Sequence, residues 1–149
     1  GQCVARQFGA AAVAAQIVHP DRVVVSFSGD GCFLMCGQEL ATARQYDLPI
    51  VFIVVNNGTY GTIRMHQERF YPGRVIGTDL VNPDFAALAR AYGLDGQVVE
   101  RTEEFAPAFE RARASGGPAL IEVRIEQDQI SPRATLSGLR EASLKARQD

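Results

Sequence analysis

The chain has 149 residues, of which 46% are apolar and 21% charged, and its 15 basic and 17 acidic residues leave a formal net charge of −2. That matches one ordinary globular domain with a sizeable core, and offers no basic excess for nucleic acid or for an anionic membrane surface. No apolar run approaches the roughly 18 residues of a spanning helix, and an odd number of cysteines, 3, suggests no disulfide framework and a reducing, cytoplasmic setting.

The chain opens on Gly1 without a leader pattern, which reads as a piece of a larger multidomain protein, with residues 1–149 forming one domain of it. Ala10 to Val18 predicts a small-residue helix closed by His19-Pro20-Asp21, because proline disfavours helical geometry in the residue before it. Arg22 to Ser28 is a continuous β-branched run, the mark of a strand buried on both faces. Phe33 to Asp47 carries a stripe of Phe33, Cys36, Leu40 and Ala41 and predicts an amphipathic helix. Ile50 to Val55 is a second continuous strand, and a crossover of this length implies a parallel, right-handed β-helix-β unit.

Tyr60 to Phe70 predicts a polar helix and Tyr71 to Asn82 a glycine-containing loop. Asn82 as N-cap and Pro83 at the first helical position open a helix over Asp84 to Tyr92, which Gly93 closes. Gly96 to Glu100 predicts a strand, Thr102 to Ala114 a helix with Glu103 and Glu104 in its first turn, and Ala119 to Ile125 a strand. Residues 126–149 read as a polar tail with a last helix from Ser137. The alternation predicts an α/β fold, a doubly wound, mostly parallel sheet with helices on both faces.

In such sheets ligands sit beyond the carboxyl ends of the strands. The first strand ends in Gly29-Asp30-Gly31 and leads into a helix near Cys32; the second ends in Asn56-Asn57-Gly58-Thr59-Tyr60-Gly61. Glycines around Asp30 permit a sharp turn and close backbone approach, and free N–H groups at a helix start suit phosphate. A carboxylate there would repel phosphate unless a cation lies between, and the oxygens of Asp30, the Asn57 amide and a backbone carbonyl suit magnesium. Alone, each tripeptide is ordinary turn chemistry; together they end successive buried strands across residues 32–55, one crossover apart.

This pattern resembles the signature of thiamine diphosphate enzymes. Gly29 to Met35, Gln38 to Ala43, Leu48-Pro49-Ile50 and Asn56 to Gly61 resemble the diphosphate-binding domain of the acetolactate synthase and benzoylformate decarboxylase group, over roughly residues 18 to 125. The resemblance implies Mg2+ held by Asp30, Asn57 and the Thr59 backbone, and thiamine diphosphate held through Gly29, Asp30, Gly31, Cys32, Asn57, Thr59, Tyr60 and Gly61. It implies a lyase or transferase acting on a small 2-oxo acid by decarboxylation or carboligation, in a homodimer or homotetramer. The glutamate that activates the cofactor would come from a pyrimidine-binding domain of the same or a partner subunit. No catalytic acid or base is therefore assigned here, and Glu39, which matches a family position, reads as a structural hydrogen-bonding residue at least as readily as a chemical one.

Two departures accompany the resemblance. Ala5 to Ala10 stands where the family reads Met-Gly-Phe-Gly-Leu-Pro, so the apolar wedge under the cofactor is missing from this stretch. His66 stands where acetolactate synthases carry Trp, and reads first as a solvated helix position and second as a substrate contact. Cys32 and Cys36 read as core and loop residues, and Arg140, Lys145 and Arg147 as a solvated helix face. A domain that binds thiamine diphosphate or another phosphorylated ligand without turnover stays open as the alternative. A dinucleotide-binding Rossmann domain fits less well, because Gly29, Gly31 and Gly37 miss the Gly-x-Gly-x-x-Gly spacing. A phospho-acceptor receiver domain would carry a lysine after the last strand, where Ile125-Glu126-Gln127-Asp128 stands.

Overall fold

The computed structural model describes residues 8–147, which fall into two compact units. Of the departure over Ala5 to Ala10, residues 5–7 and the side chain of Phe8 lie outside the described residues. The first unit holds residues up to Asn56 together with Asn82–Arg124. Its elements are α1 (Phe8–Val18), β1 (Val24–Gly29), α2 (Asp30–Phe33), α3 (Glu39–Gln45), β2 (Ile50–Asn56), α5 (Phe85–Ala91), β3 (Asp95–Val99), α6 (Thr102–Ala114) and β4 (Ala119–Arg124); α4 belongs to the second unit.

The strands form one parallel sheet in the order β1-β2-β4-β3. β2 lies inside it, pairing Val24 with Ile50 through Gly29 with Val55 on one side and Val51 with Ala119 through Asn56 with Arg124 on the other. This is why Ile50 to Val54 is a continuous apolar run: all five residues are buried, so neither face can be polar. Ile50, Phe52, Val54 and Leu120 face a core with Ala12, Val13, Phe33, Leu40, Phe85 and Ala89 from α1, α2, α3 and α5. Val51, Ile53, Ala119 and Ile121 face Ala108 and Ala112 of α6. Each fully buried Ile or Leu contributes about 1.5–3 kcal/mol of transfer free energy. The sheet is doubly wound, with helices on both faces, as the alternation predicted.

Two boundaries differ from expectation. The predicted helix over Phe33 to Asp47 is two short helices, because the backbone between them turns through three-residue hydrogen bonds, such as Cys36 N–H to Phe33 O at 3.0 Å and Leu40 N–H to Gly37 O at 3.2 Å. Those tighter turns rotate the buried stripe, so Ala43 is buried and Ala41 exposed. A side chain at Gly37 would lie 2.9 Å from the Phe33 ring, so the turn needs a glycine there. The cap of α5 is Asp84, not Asn82: the Asp84 carboxylate accepts from Ala87 N–H at 2.7 Å, and Pro83 lies before the helix.

The second unit holds residues Asn57–Val81 and those from Ile125 on, so the expected tail folds with the loop after β2. It contains α4 (Gly61–Phe70), the antiparallel pair β5 (Gln129–Ser131) and β6 (Ala134–Thr135), which the sequence reading missed, and α7 (Leu136–Lys145). Thr135 caps α7 through Gly138 N–H at 3.1 Å. Arg140 is not part of a solvated face: its guanidinium makes a two-pronged pair with Glu68 of α4, a fully buried carboxylate that also accepts Gly73 N–H at 3.1 Å. Arg140 holds the Glu68 carboxyl below the usual glutamate range, against the opposing effect of burial. Among the described residues, no helix is long and apolar enough to cross a membrane.

Candidate functional site

In the first unit the carboxyl end of β1 passes directly into α2, and Asp30 is its first residue. Gly29 has φ −73°, a value open to any residue, and an added Cβ there would meet nothing within 4 Å. The turn therefore does not require this glycine. What glycine leaves is open space beside the backbone at the end of the strand. α2 has only four residues and so carries little dipole; what it offers a phosphate is backbone N–H groups.

Asp30 is only 3% exposed. Its Oδ1 accepts Gly31 N–H at 2.8 Å and its Oδ2 accepts Asn82 Nδ2 at 2.7 Å. The same Asn82 nitrogen donates to Asn56 Oδ1 at 2.8 Å, and Asn56 Nδ2 donates to Glu122 Oε1 at 2.9 Å. Glu122, 1% exposed in β4, also accepts Phe85 N–H at 3.1 Å and Arg124 Nε at 3.0 Å. Arg124 answers the Glu122 charge and spans to Glu100 at 2.8 Å; hydrogen bonds to these two carboxylates raise its pKa, so it stays charged throughout. Because β1 and β2 are adjacent and in register, Asp30 and Asn56 follow neighbouring strand ends, and a chain of amides joins them.

In the second unit, Asn57 to Gly61 forms a compact loop. Gly58 has φ +66°, a conformation that glycine tolerates without strain. Asn57 Oδ1 accepts Thr59 N–H at 3.2 Å, and a side chain at Gly61 would lie 3.1 Å from Asn57 Nδ2. The loop is strapped to residues 78–80: Thr59 Oγ1 donates to Thr78 O at 2.7 Å, Tyr60 N–H to the same oxygen at 2.8 Å, and Leu80 N–H to Gly58 O at 2.9 Å. Gly61 N–H donates to Thr59 O at 2.8 Å.

His66 is exposed on α4 and stacks on Phe70, with ring centroids 6.1 Å apart. Cys32 is half-buried and Cys36 buried, and Cys36 Sγ donates to Cys32 O at 3.5 Å. Glu39 Oε2 accepts Thr42 Oγ1 at 3.2 Å, a local structural bond. Sequence reasoning missed Glu122 and misassigned Asn82. The signal for Glu122 was one carboxylate inside the apolar run Ala119-Leu120-Ile121-Glu122-Val123, which a buried strand tolerates only when it is paired.

Two observations fit a hydrated cation beside Asp30. Asn82 Oδ1 is buried without a hydrogen-bond partner, an arrangement that costs about 1–3 kcal/mol unless something donates to it. The space beside Gly29 is open. Among the described residues, no group of three or more His, Cys, Asp or Glu side chains could hold a metal ion. A metal here would draw on one carboxylate, neutral oxygens and ligand phosphates, a donor set that suits magnesium.

The chain matches the family model for the thiamine pyrophosphate enzyme C-terminal TPP binding domain over residues 4–123. It is 40% identical over 121 residues to the acetolactate synthase large subunit of Parasynechococcus marenigrum, covering 80% of this chain and 20% of that protein. It is 39% identical over 118 residues to acetolactate synthase isozyme 2 large subunit of Escherichia coli, covering 78% and 22%. The solved thiamine diphosphate-dependent 4-hydroxybenzoylformate decarboxylase of Rhodococcus jostii superposes with a TM-score of 0.74 at 42% identity, over 79% of this chain and 22% of that one. The chain thus spans about a fifth of the length of the curated relatives it matches. The parallel sheet, the two motif-bearing strand ends and the family match agree: this chain belongs to the thiamine pyrophosphate enzymes, as their C-terminal cofactor-binding domain.

Proposed function

We propose that this domain binds thiamine diphosphate through Mg2+ as the diphosphate half of a 2-oxo acid decarboxylase or carboligase. One observation carries the reading: Gly29-Asp30-Gly31 and Asn56-Asn57 end two adjacent, hydrogen-bonded parallel strands, and the aspartate is buried there as an acceptor. Asp30, the Asn57 amide oxygen and the Thr59 carbonyl are the metal ligands of this reading. The backbone around Gly29, Gly31, Cys32, Tyr60 and Gly61 holds the diphosphate. When bound, the cofactor supplies an electron sink for breaking or forming a bond beside a carbonyl.

The residues of this chain bind and orient; the group that moves the activating proton comes from a pyrimidine-binding domain of the same or a partner subunit, in a homodimer or homotetramer. His66 is a candidate contact for the small 2-oxo acid. The two sequence relatives above, both named acetolactate synthases, and the Rhodococcus jostii decarboxylase support both arms of the reading. Three cysteines, an odd number, suit a reducing, cytoplasmic setting.

Magnesium releases water reluctantly and favours sites completed by phosphate oxygens, so Mg2+ and thiamine diphosphate should bind cooperatively, each weakly alone. Calorimetry on the full chain checks this, and Asp30→Asn should abolish uptake of the pair. Tight Mg2+ binding in the absence of thiamine diphosphate, or uptake unchanged by Asp30→Asn, contradicts the reading. Adding a pyrimidine-domain partner and assaying carbon dioxide release then separates an enzyme domain from a module that binds without turnover.

A further inference from the structure

Within the first unit, one side chain that belongs to neither motif joins both. Asn82 precedes Pro83 in the segment that enters α5. An amide nitrogen has two protons to donate, and Asn82 uses both, on Asp30 Oδ2 at 2.7 Å and on Asn56 Oδ1 at 2.8 Å. These two acceptors fix the orientation of the amide, because the flipped form would set an oxygen against two oxygens. Asn56 is itself held by Glu122, which is buried, paired to Arg124 and anchored to Phe85 N–H. Asp30 therefore stands at the end of a hydrogen-bonded line that runs through two amides to a charge-compensated carboxylate in the neighbouring strand β4.

A carboxylate that is held at one oxygen has its plane set, whereas one held only by its own chain can swing about its last torsion. Outer partners of this kind orient a metal ligand and tune its affinity, and their loss typically weakens metal binding 10–100-fold. The remaining atom of Asn82, Oδ1, is buried and unpartnered, so the side chain has one further hydrogen bond to accept.

We propose that Asn82 is a positioning residue for the cation: through Nδ2 it sets the plane of the Asp30 carboxylate and ties it to Asn56, and its Oδ1 accepts from water in the metal's hydration shell. The proposal rests on the reading of Asp30 as a magnesium ligand. Asn82 acts through Asp30, so its effect falls on metal affinity.

The test titrates Mg2+ into the full chain at saturating thiamine diphosphate, by calorimetry, for the wild type, Asn82→Ala and Asn82→Asp. The melting midpoint of each protein without ligands is measured alongside. Asn82→Asp keeps the shape but sets a carboxylate against Asp30 and Asn56 Oδ1, whereas Asn82→Ala removes the amide without adding charge, and the melting midpoints show that the proteins compared are folded. The expected result is a 10–100-fold loss of apparent Mg2+ affinity in Asn82→Ala, with Asn82→Asp no better. A merely structural role would move the melting midpoint and leave the affinity of the folded protein alone, so affinities within twofold of wild type overturn the proposal. Tighter Mg2+ binding in Asn82→Asp would make residue 82 a ligand and also overturns it. Should the wild type show no Mg2+-dependent uptake of thiamine diphosphate, the cofactor reading itself falls, and this inference with it.

Discussion

At Gly29 the residue identity and the backbone disagree about purpose. Its φ of −73° suits any amino acid and its Cβ position is open, so the fold gains nothing from glycine there. Replacing it with alanine reduces unfolded-chain entropy at a compatible conformation, which stabilises by about 0.4–1 kcal/mol. If the open space is where a diphosphate approaches the backbone, Gly29→Ala should therefore raise the melting midpoint slightly while weakening thiamine diphosphate binding at least tenfold. Unfolding scans and calorimetry on the same samples check both halves, and unimpaired binding would remove Gly29 from the site. Asp30 stood out in the sequence because Gly29-Asp30-Gly31 and Asn56-Asn57 end successive strands one crossover apart. Asn82 did not, because Asn before Pro is an ordinary helix-start signal, and only its contact with Asp30, 52 positions away, shows its role.

The elements repeat this contrast between local and distant causes. The continuous runs of β2 and β4 were legible because a strand covered on both faces has no polar side to alternate with, whereas β1, at the sheet edge, buries Ser26 but leaves Phe27 exposed, so its expected burial on both faces does not hold. The start of α6 was legible because Glu104 reaches back to Arg101 N–H at 3.2 Å, a local bond. The break between α2 and α3 was not, because it follows from how Phe33 packs over Gly37. Gly96 shows the same limit in β3: an added Cβ would lie 2.2 Å from the Ala86 carbonyl oxygen of α5, which no rotamer can relieve. Gly96→Ala should cost about 3 kcal/mol, near the upper end of overpacking penalties, by pushing α5 from the sheet. Denaturant unfolding measures it; a loss under about 0.5 kcal/mol would mean that α5 shifts freely.

For the molecule as a whole, the two units depend on different forces. The first is built on the apolar faces of one sheet, whereas the second joins α4 to α7 through the buried Glu68 carboxylate and Arg140. The Arg140 hydrogen bonds chiefly hold the Glu68 carboxyl below the usual glutamate range, so its contribution is complete above that range and is lost as pH falls through the lowered value. Protection of the α7 amides, taken relative to the intrinsic exchange rate at each pH, should fall on acidification from pH 6 to about pH 3, and Arg140→Met should be weakly protected at both. Equal protection at both pH values in the wild type would show that the pair does not hold α7. Sequence alone determined the parallel α/β class, the two motif-bearing strand ends and the cofactor family, because each depends on near neighbours along the chain or on spacing across one crossover. Tertiary structure alone decided that Asn82 and Glu122 tie Asp30 to Asn56, that the tail folds onto α4, and that Arg140 neutralises a buried glutamate. In these cases the partners lie tens of residues apart, and burial, which makes such pairs necessary, exists only once the chain has folded.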